Sequence, residues 1–181
     1  MYKYLKYAAA AVLFVPGLAA AHGPSRLKYE TEIEVNAPAA KAWDVIKNFC
    51  AIGNWLPPVK KVECKEGNKV GTERDLWVGK TDGKWSIQEF LLKYEPEKMM
   101  YKYKIENSDP KVFPVDQYAS FLGVKDEGNG KCKVYWRAGF YRFFTQNDPP
   151  KDQDDDAAMA AVKSVYAAGL AQIKKLAEGG K

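Results

Sequence analysis

Apolar and polar residues alternate from Tyr29 to Val35, where Tyr29, Thr31, Ile33 and Val35 are interleaved with Glu30, Glu32 and Glu34. A period of two is that of a strand with one buried face, so the first strand is predicted there. The period then changes. Asn36 to Pro38 opens a helix, since proline is acceptable in a first helical turn, and Ala39, Ala42, Trp43 and Ile46 fall on one face. A second short helical turn is predicted over Phe49 to Trp55, ended by Pro57 and Pro58. From there to about residue 140 the period is two again. Met99, Tyr101, Tyr103 and Ile105 alternate with Met100, Lys102, Lys104 and Glu106. Cys132, Val134, Trp136, Ala138 and Phe140 alternate with Lys131, Lys133, Tyr135 and Arg137. The first set of each run is expected to face a core. Less regular runs cover residues 59–65, 72–78, 84–94 and 115–124, separated by Gly-, Pro- and Asn-containing turns. After a polar stretch at 148–156, residues 157–177 place Met159, Val162, Tyr166, Leu170, Ile173 and Leu176 along one stripe of a long helix that Gly179-Gly180 stops.

The order is strand, helical region, six strands, long helix, and short connections between strands imply antiparallel neighbours. An α+β fold follows. A seven-stranded open sheet has one apolar face to cover, and a single long amphipathic helix is the object to cover it. The expected architecture is a helix-grip: a curved antiparallel sheet wrapped around the C-terminal helix, with a cleft between them.

Residues 1–21 have a different character. Lys3 and Lys6 precede an apolar run from Tyr7 to Val15, then Pro16-Gly17 and Ala19-Ala20-Ala21, which is the build of a cleaved signal peptide. A retained anchor would need about 20 uninterrupted apolar residues, and the run breaks at Pro16. The expected organisation is a signal peptide at 1–21, an N-terminal arm at 22–28 and one domain at 29–178, in the periplasm and off the membrane after cleavage. Export makes ATP-, nicotinamide- and nucleic-acid-dependent functions unexpected. The formal charge of +5 falls to +3 once Lys3 and Lys6 are removed, a spread-out excess compatible with an acidic protein partner. Cys50, Cys64 and Cys132 enter an oxidising compartment with room for one bridge, of unspecified pairing.

With the order of elements in place, the chain resembles the START-like and Bet v 1-like superfamily, which includes the polyketide cyclase and dehydrase relatives. The segment Asn54-Trp55-Leu56-Pro57-Pro58-Val59 resembles the W-x-P element of that superfamily. A closer resemblance lies in His22-Gly23-Pro24-Ser25-Arg26, Phe113 to Tyr118, Gly139-Phe140-Tyr141-Arg142, Asn147-Asp148-Pro149-Pro150 and residues 162–170. These segments are similar to the MxaD-type periplasmic accessory proteins of methanol oxidation. That resemblance implies a role beside a quinone-containing methanol dehydrogenase or its cytochrome c acceptor, in assembly or electron transfer.

The residues themselves limit the chemistry. His22 is the only histidine, so neither a histidine-based catalytic triad nor a conventional Cys/His metal site can be assembled, and no cofactor is expected. Asp152 to Asp156 opens like a calcium loop, but Ala157 stands where glycine is needed and Lys163 where a bidentate glutamate is needed. Helix capping accounts for these carboxylates better. Trp85, Tyr101, Tyr103, Tyr118, Trp136 and Tyr141 are candidates to line or to fill a cavity. Glu89 shares parity with Trp85, Ile87 and Leu91, and Arg74 with Leu76 and Val78, so these two are the candidate polar anchors of a site. The opposite parity, with Phe90, Leu92 and Tyr94, is also apolar and leaves the choice of face open. The cavity candidates are therefore Arg74, Trp85, Glu89, Tyr103, Tyr118 and Trp136. Tyr141, Phe143, Phe144, Asn147, Pro149 and Pro150 form a candidate partner-binding segment ahead of the acidic run.

Three functions remain. A non-enzymatic accessory protein is expected first. A carrier or sensor of a small hydrophobic or quinone-like ligand is the alternative, and acid–base chemistry through Glu89 is the third.

Overall fold

The computed structural model describes residues 23–65, 67–79, 84 and 86–180. The predicted signal peptide at 1–21, His22 and the cavity candidate Trp85 lie outside the described residues. Strand β1 (Leu27–Val35) is followed by α1 (Ala39–Ile46), a 3-10 segment (Phe49–Asn54), and strands β2 (Val59–Cys64), β3 (Glu73–Val78), β4 (Ile87–Glu95), β5 (Met100–Ser108), β6 (Val115–Gly128) and β7 (Lys131–Arg142). Helix α2 (Asp155–Ala177) closes the fold. The strands form one antiparallel sheet in the order β1-β7-β6-β5-β4-β3-β2, so only the first strand leaves sequence order, to pair with the last.

The alternation seen in the sequence decides the two faces. Tyr101, Tyr103 and Ile105 on β5 and Val134, Trp136, Ala138 and Phe140 on β7 are buried, while the lysines between them point to the convex side. Helix α1 buries Ala39, Ala42, Trp43 and Ile46, and α2 buries Ala158, Val162, Tyr166, Gly169, Leu170, Ile173 and Ala177. Asp154 is the N-cap of α2, its carboxylate accepting from the Ala157 N–H at 2.8 Å, with Asp155 and Asp156 in the first turn and Lys174 and Lys175 in the last. These charges complement the helix dipole. No described helix is long and apolar enough to cross a membrane.

Four details differ from the sequence expectation. The sheet begins at Leu27, inside the predicted arm, because Leu27 pairs with Phe140 and packs on the core. The strand expected from Met99 starts at Met100: Met99 has φ 48°, left-handed, and ends the short Pro96–Lys98 turn, while Met100 is buried. A register shift between Leu91 and Lys93 turns Tyr94 inward against Trp43, at 5.9 Å between rings, so it does not share a face with Phe90 and Leu92. Tyr141 is not a cavity residue. It stands on the convex face with the Arg26 guanidinium 5.9 Å from its ring.

Cys50 in the 3-10 segment is bridged to Cys64 at the end of β2, and Cys132 is a buried free thiol. The bridge ties the segment carrying Phe49 and Trp55 to the sheet edge. Its sequence separation is 14 residues. Closing a loop of about that length is worth about 3 kcal/mol through the unfolded state. The Cys50→Ser/Cys64→Ser protein is therefore expected to lose about that much stability in denaturant unfolding, and reductant is expected to lower the wild-type midpoint but not the variant's.

Candidate functional site

The interior polar group is built on two adjacent strands near the β2 edge of the sheet. Arg74 on β3 and Glu89 on β4 are register partners. They are 1% and 4% exposed and pair through Arg74 Nε and Glu89 Oε2 at 2.5 Å. Arg74 Nη1 donates to the Phe49 carbonyl, and the guanidinium lies 3.8 Å from the Phe49 ring centroid and 5.3 Å from that of Tyr103. Nη2 has no hydrogen-bond partner among the described residues. Burial pushes the Glu89 carboxyl above its ordinary value of 4.5, and Arg74 offsets part of that rise. Two opposite charges in direct contact offset each other, although Glu89 also borders the interior cavity. That is a poor arrangement for an acid or base that must exchange protons with a substrate.

A second polar cluster joins sheet to helix. Trp136 Nε1 on β7 donates to the Tyr103 hydroxyl at 3.1 Å and to Ser120 Oγ at 2.9 Å. Tyr166 on α2 hydrogen-bonds the Tyr118 hydroxyl at 2.7 Å and Ser120 Oγ at 3.0 Å, while Ser120 donates to the Arg137 carbonyl at 3.0 Å. The Trp136 and Tyr166 rings are stacked at 4.2 Å with 9° between planes, and Trp55 meets Trp136 edge-on at 5.7 Å. Gly169 permits this stack: a Cβ there would stand 2.7 Å from Trp136 and 3.0 Å from Leu56. Burial raises the pKa of the Tyr103, Tyr118 and Tyr166 hydroxyls, which therefore stay neutral.

Between these groups and the mouth of the fold remains a cavity of about 50 Å³, touched by Glu89, Tyr103, Tyr118 and Trp136. One water occupies about 30 Å³ in the liquid, whereas ligand pockets run from about 300 Å³ upward. Of the cavity candidates, Glu89, Tyr103, Tyr118 and Trp136 reach this space, and Arg74 lies behind Glu89 against Phe49. The interior is filled by its own side chains. The described residues contain no cluster of three or more metal-ligating side chains.

The partner-binding candidates lie on one continuous surface segment. Phe143 is 38% exposed and Phe144 half-buried, with Asn147 and Pro150 in solvent and Pro149 partly covered. The segment is shaped by Arg142, which sequence reading missed. Its Nε donates to the Phe144 carbonyl at 2.7 Å, its Nη2 to the Gln146 carbonyl at 3.1 Å, and its Nη1 pairs with Asp155 at 3.3 Å. Also missed was a hollow of about 460 Å³ on the convex face, bordered by Arg26, Lys28, Lys102 and Arg137. The only sequence signal for it is the basic parity of β5 and β7.

A curved antiparallel sheet gripping a C-terminal helix, with aromatic and polar side chains between them, defines a helix-grip domain of the Bet v 1-like class. Residues 26–178 match the family described as polyketide cyclase / dehydrase and lipid transport, and the chain belongs to that family. Among solved structures, the chain is similar to the protein XoxI from Bacillus cereus, at 25% identity and a TM-score of 0.65 over 82% of this chain and 93% of that one. It is also similar to norcoclaurine synthase from Thalictrum flavum in complex with dopamine and hydroxybenzaldehyde, at 18% identity and a TM-score of 0.60 over 96% and 99% of the two chains. The Zhui aromatase/cyclase from Streptomyces sp. R1128 gives 18% identity and a TM-score of 0.62 over 87% and 100%. No curated protein matches the sequence.

Proposed function

We propose that this protein is an exported, non-enzymatic accessory protein of methanol oxidation that docks on a methanol dehydrogenase or on its cytochrome c acceptor and assists assembly or electron transfer. The observation that carries the surface-acting part of this reading is the filled interior. A cavity of about 50 Å³ is well below the roughly 300 Å³ of ordinary ligand pockets, and the one buried carboxylate in it is held by Arg74. What the fold offers a partner is its outside. The Cys50–Cys64 bridge supports export, because structural disulfides persist in oxidising compartments. The segments around Arg26, Phe113 to Tyr118, Tyr141 and Pro149-Pro150 support the choice of partner through their resemblance to MxaD-type proteins.

The test is calorimetric titration of the mature protein into purified methanol dehydrogenase and, separately, into its cytochrome c. Micromolar or tighter binding to one of them is expected, weakened about tenfold by Phe143→Ala/Phe144→Ala, since exposed aromatic residues are frequent binding hot spots. Absence of binding to both, together with a small molecule that co-purifies with the protein, would overturn the reading in favour of a carrier.

A further inference from the structure

The convex hollow is assembled from residues distant in sequence. Arg26 precedes β1, Lys28 lies on β1, Lys102 on β5 and Arg137 on β7, with Phe121 of β6 between them. Register brings them together: Lys102 and Arg137 both face Phe121 across their strand pairs. Elsewhere on this face the lysines are neutralised by carboxylates, Lys131 by Glu34 at 3.2 Å, Lys133 by Glu32 at 2.7 Å, Lys125 by Glu127 at 3.0 Å, and Lys104 by Glu106. Arg26, Lys28, Lys102 and Arg137 form no ion pair among the described residues. Glu30, the cross-strand neighbour of Arg137, also borders the hollow but forms no ion pair with it, leaving four cations to one carboxylate; Arg137 lies 4.7 Å from the Phe121 ring centroid, with Lys102 at 5.2 Å from the same ring. Arg26 reaches across β7 because Gly139 has no side chain: a Cβ there would stand 2.9 Å from its guanidinium. Each cation is attracted to the face of Phe121, but the two like charges repel each other, and an anion seated between them would relieve that repulsion.

We propose that this hollow docks a carboxylate-rich segment of the partner protein, with the carboxylates on Arg26, Lys102 and Arg137 and an apolar side chain of the segment against Phe121. Charge complementarity selects an acidic occupant, and arginine offers the two-pronged geometry that carboxylates accept. The shape selects a protein segment. The hollow is open and about 460 Å³ in volume, room for a side chain and the carboxylates flanking it, and beside it Arg26 lies 5.9 Å from the Tyr141 ring centroid. This inference deepens the accessory reading and rests on it for the identity of the partner only.

Two arms test it on the intact mature protein, each with the variant Lys102→Glu/Arg137→Glu, both of whose side chains point away from the core. In the first, the probe is a synthetic peptide of glutamate and phenylalanine, titrated into isotope-labelled protein and followed by amide chemical shifts. Saturable shifts confined to β5, β6, β7 and the Arg26 arm are expected, weakened at least about tenfold in the variant and by salt. Shifts elsewhere, equal binding of the same peptide with glutamine for glutamate, or no effect of the variant would overturn the proposal. In the second arm, the variant is titrated against methanol dehydrogenase and cytochrome c. Binding that survives charge reversal but is weakened by Phe143→Ala/Phe144→Ala would overturn the hollow and leave the accessory function standing. No binding of either protein, with the peptide still seated in the hollow, would do the reverse. A concentration-dependent dimer in sedimentation, abolished by the variant, would show that the occupant is a second copy and would likewise overturn the proposal.

Discussion

Glu89→Leu, made with Arg74 left in place, is expected to destabilise the fold by about 3–5 kcal/mol, because removing one member of a buried ion pair leaves the other charge without compensation. The pair is well isolated. Arg74 is 1% exposed, its Nη2 already lacks a partner, and its other contacts include the Phe49 carbonyl, the Tyr101 hydroxyl and the faces of Phe49 and Tyr103. The double variant Glu89→Leu/Arg74→Met is expected to recover most of the loss, since two apolar side chains of similar volume replace both charges. What it does not recover is the hydrogen bond to Phe49, about 1 kcal/mol. Denaturant unfolding of wild type, single and double variants checks this, with a shift in midpoint at unchanged slope. A double variant as unstable as the single one would mean that Arg74 acts through shape and not through charge. Binding to the partner should be the same in all folded variants, because the pair is remote from the exposed segment and from the convex hollow.

How far such residues could be read from the chain depends on where the pattern breaks. On β5 and β7 one parity is basic, so the faces were legible: Lys102, Lys133 and Arg137 out, Tyr103, Val134 and Trp136 in. On β4 both parities are apolar, and the two readings stayed level until the register placed Glu89 opposite Arg74. The outward set there includes Leu92, which is exposed. The bulge that sends Tyr94 inward has no local signature, being a property of the β4–β5 pairing. Nor could three cysteines name their own pair: the choice of Cys50 with Cys64 follows from the 3-10 segment folding back beside β2. The convex hollow was illegible for the same reason. Its four cations are scattered from Arg26 to Arg137, and what distinguishes them from the other lysines on that face is that none forms an ion pair among the described residues, although Glu30 also borders the hollow.

Whether the interior of this helix-grip is a packed core or a reduced binding site turns on Trp136. Its indole is stacked on Tyr166, met edge-on by Trp55, hydrogen-bonded to Tyr103 and Ser120, and adjacent to the cavity of about 50 Å³. It occupies the space between sheet and helix. Trp136→Ala is expected to destabilise the protein by about 3–5 kcal/mol, the usual cost of emptying a large aromatic site. The vacated volume would join the existing cavity, walled by Tyr103, Tyr118 and Leu56, with two hydroxyl acceptors left without their N–H donor. Free indole supplies both the ring and the N–H. At a concentration about 100 times its dissociation constant it should return about 2.7 kcal/mol, read as a rise in the melting temperature of the variant and not of the wild type. Benzene, lacking the N–H, should return less. A variant whose melting temperature ignores indole would mean that α2 has settled onto the sheet and that the stack with Tyr166 was not holding the two apart. A variant rescued by indole would show that the Trp136 side chain alone fills the space between sheet and helix and that the surrounding walls hold their shape without it.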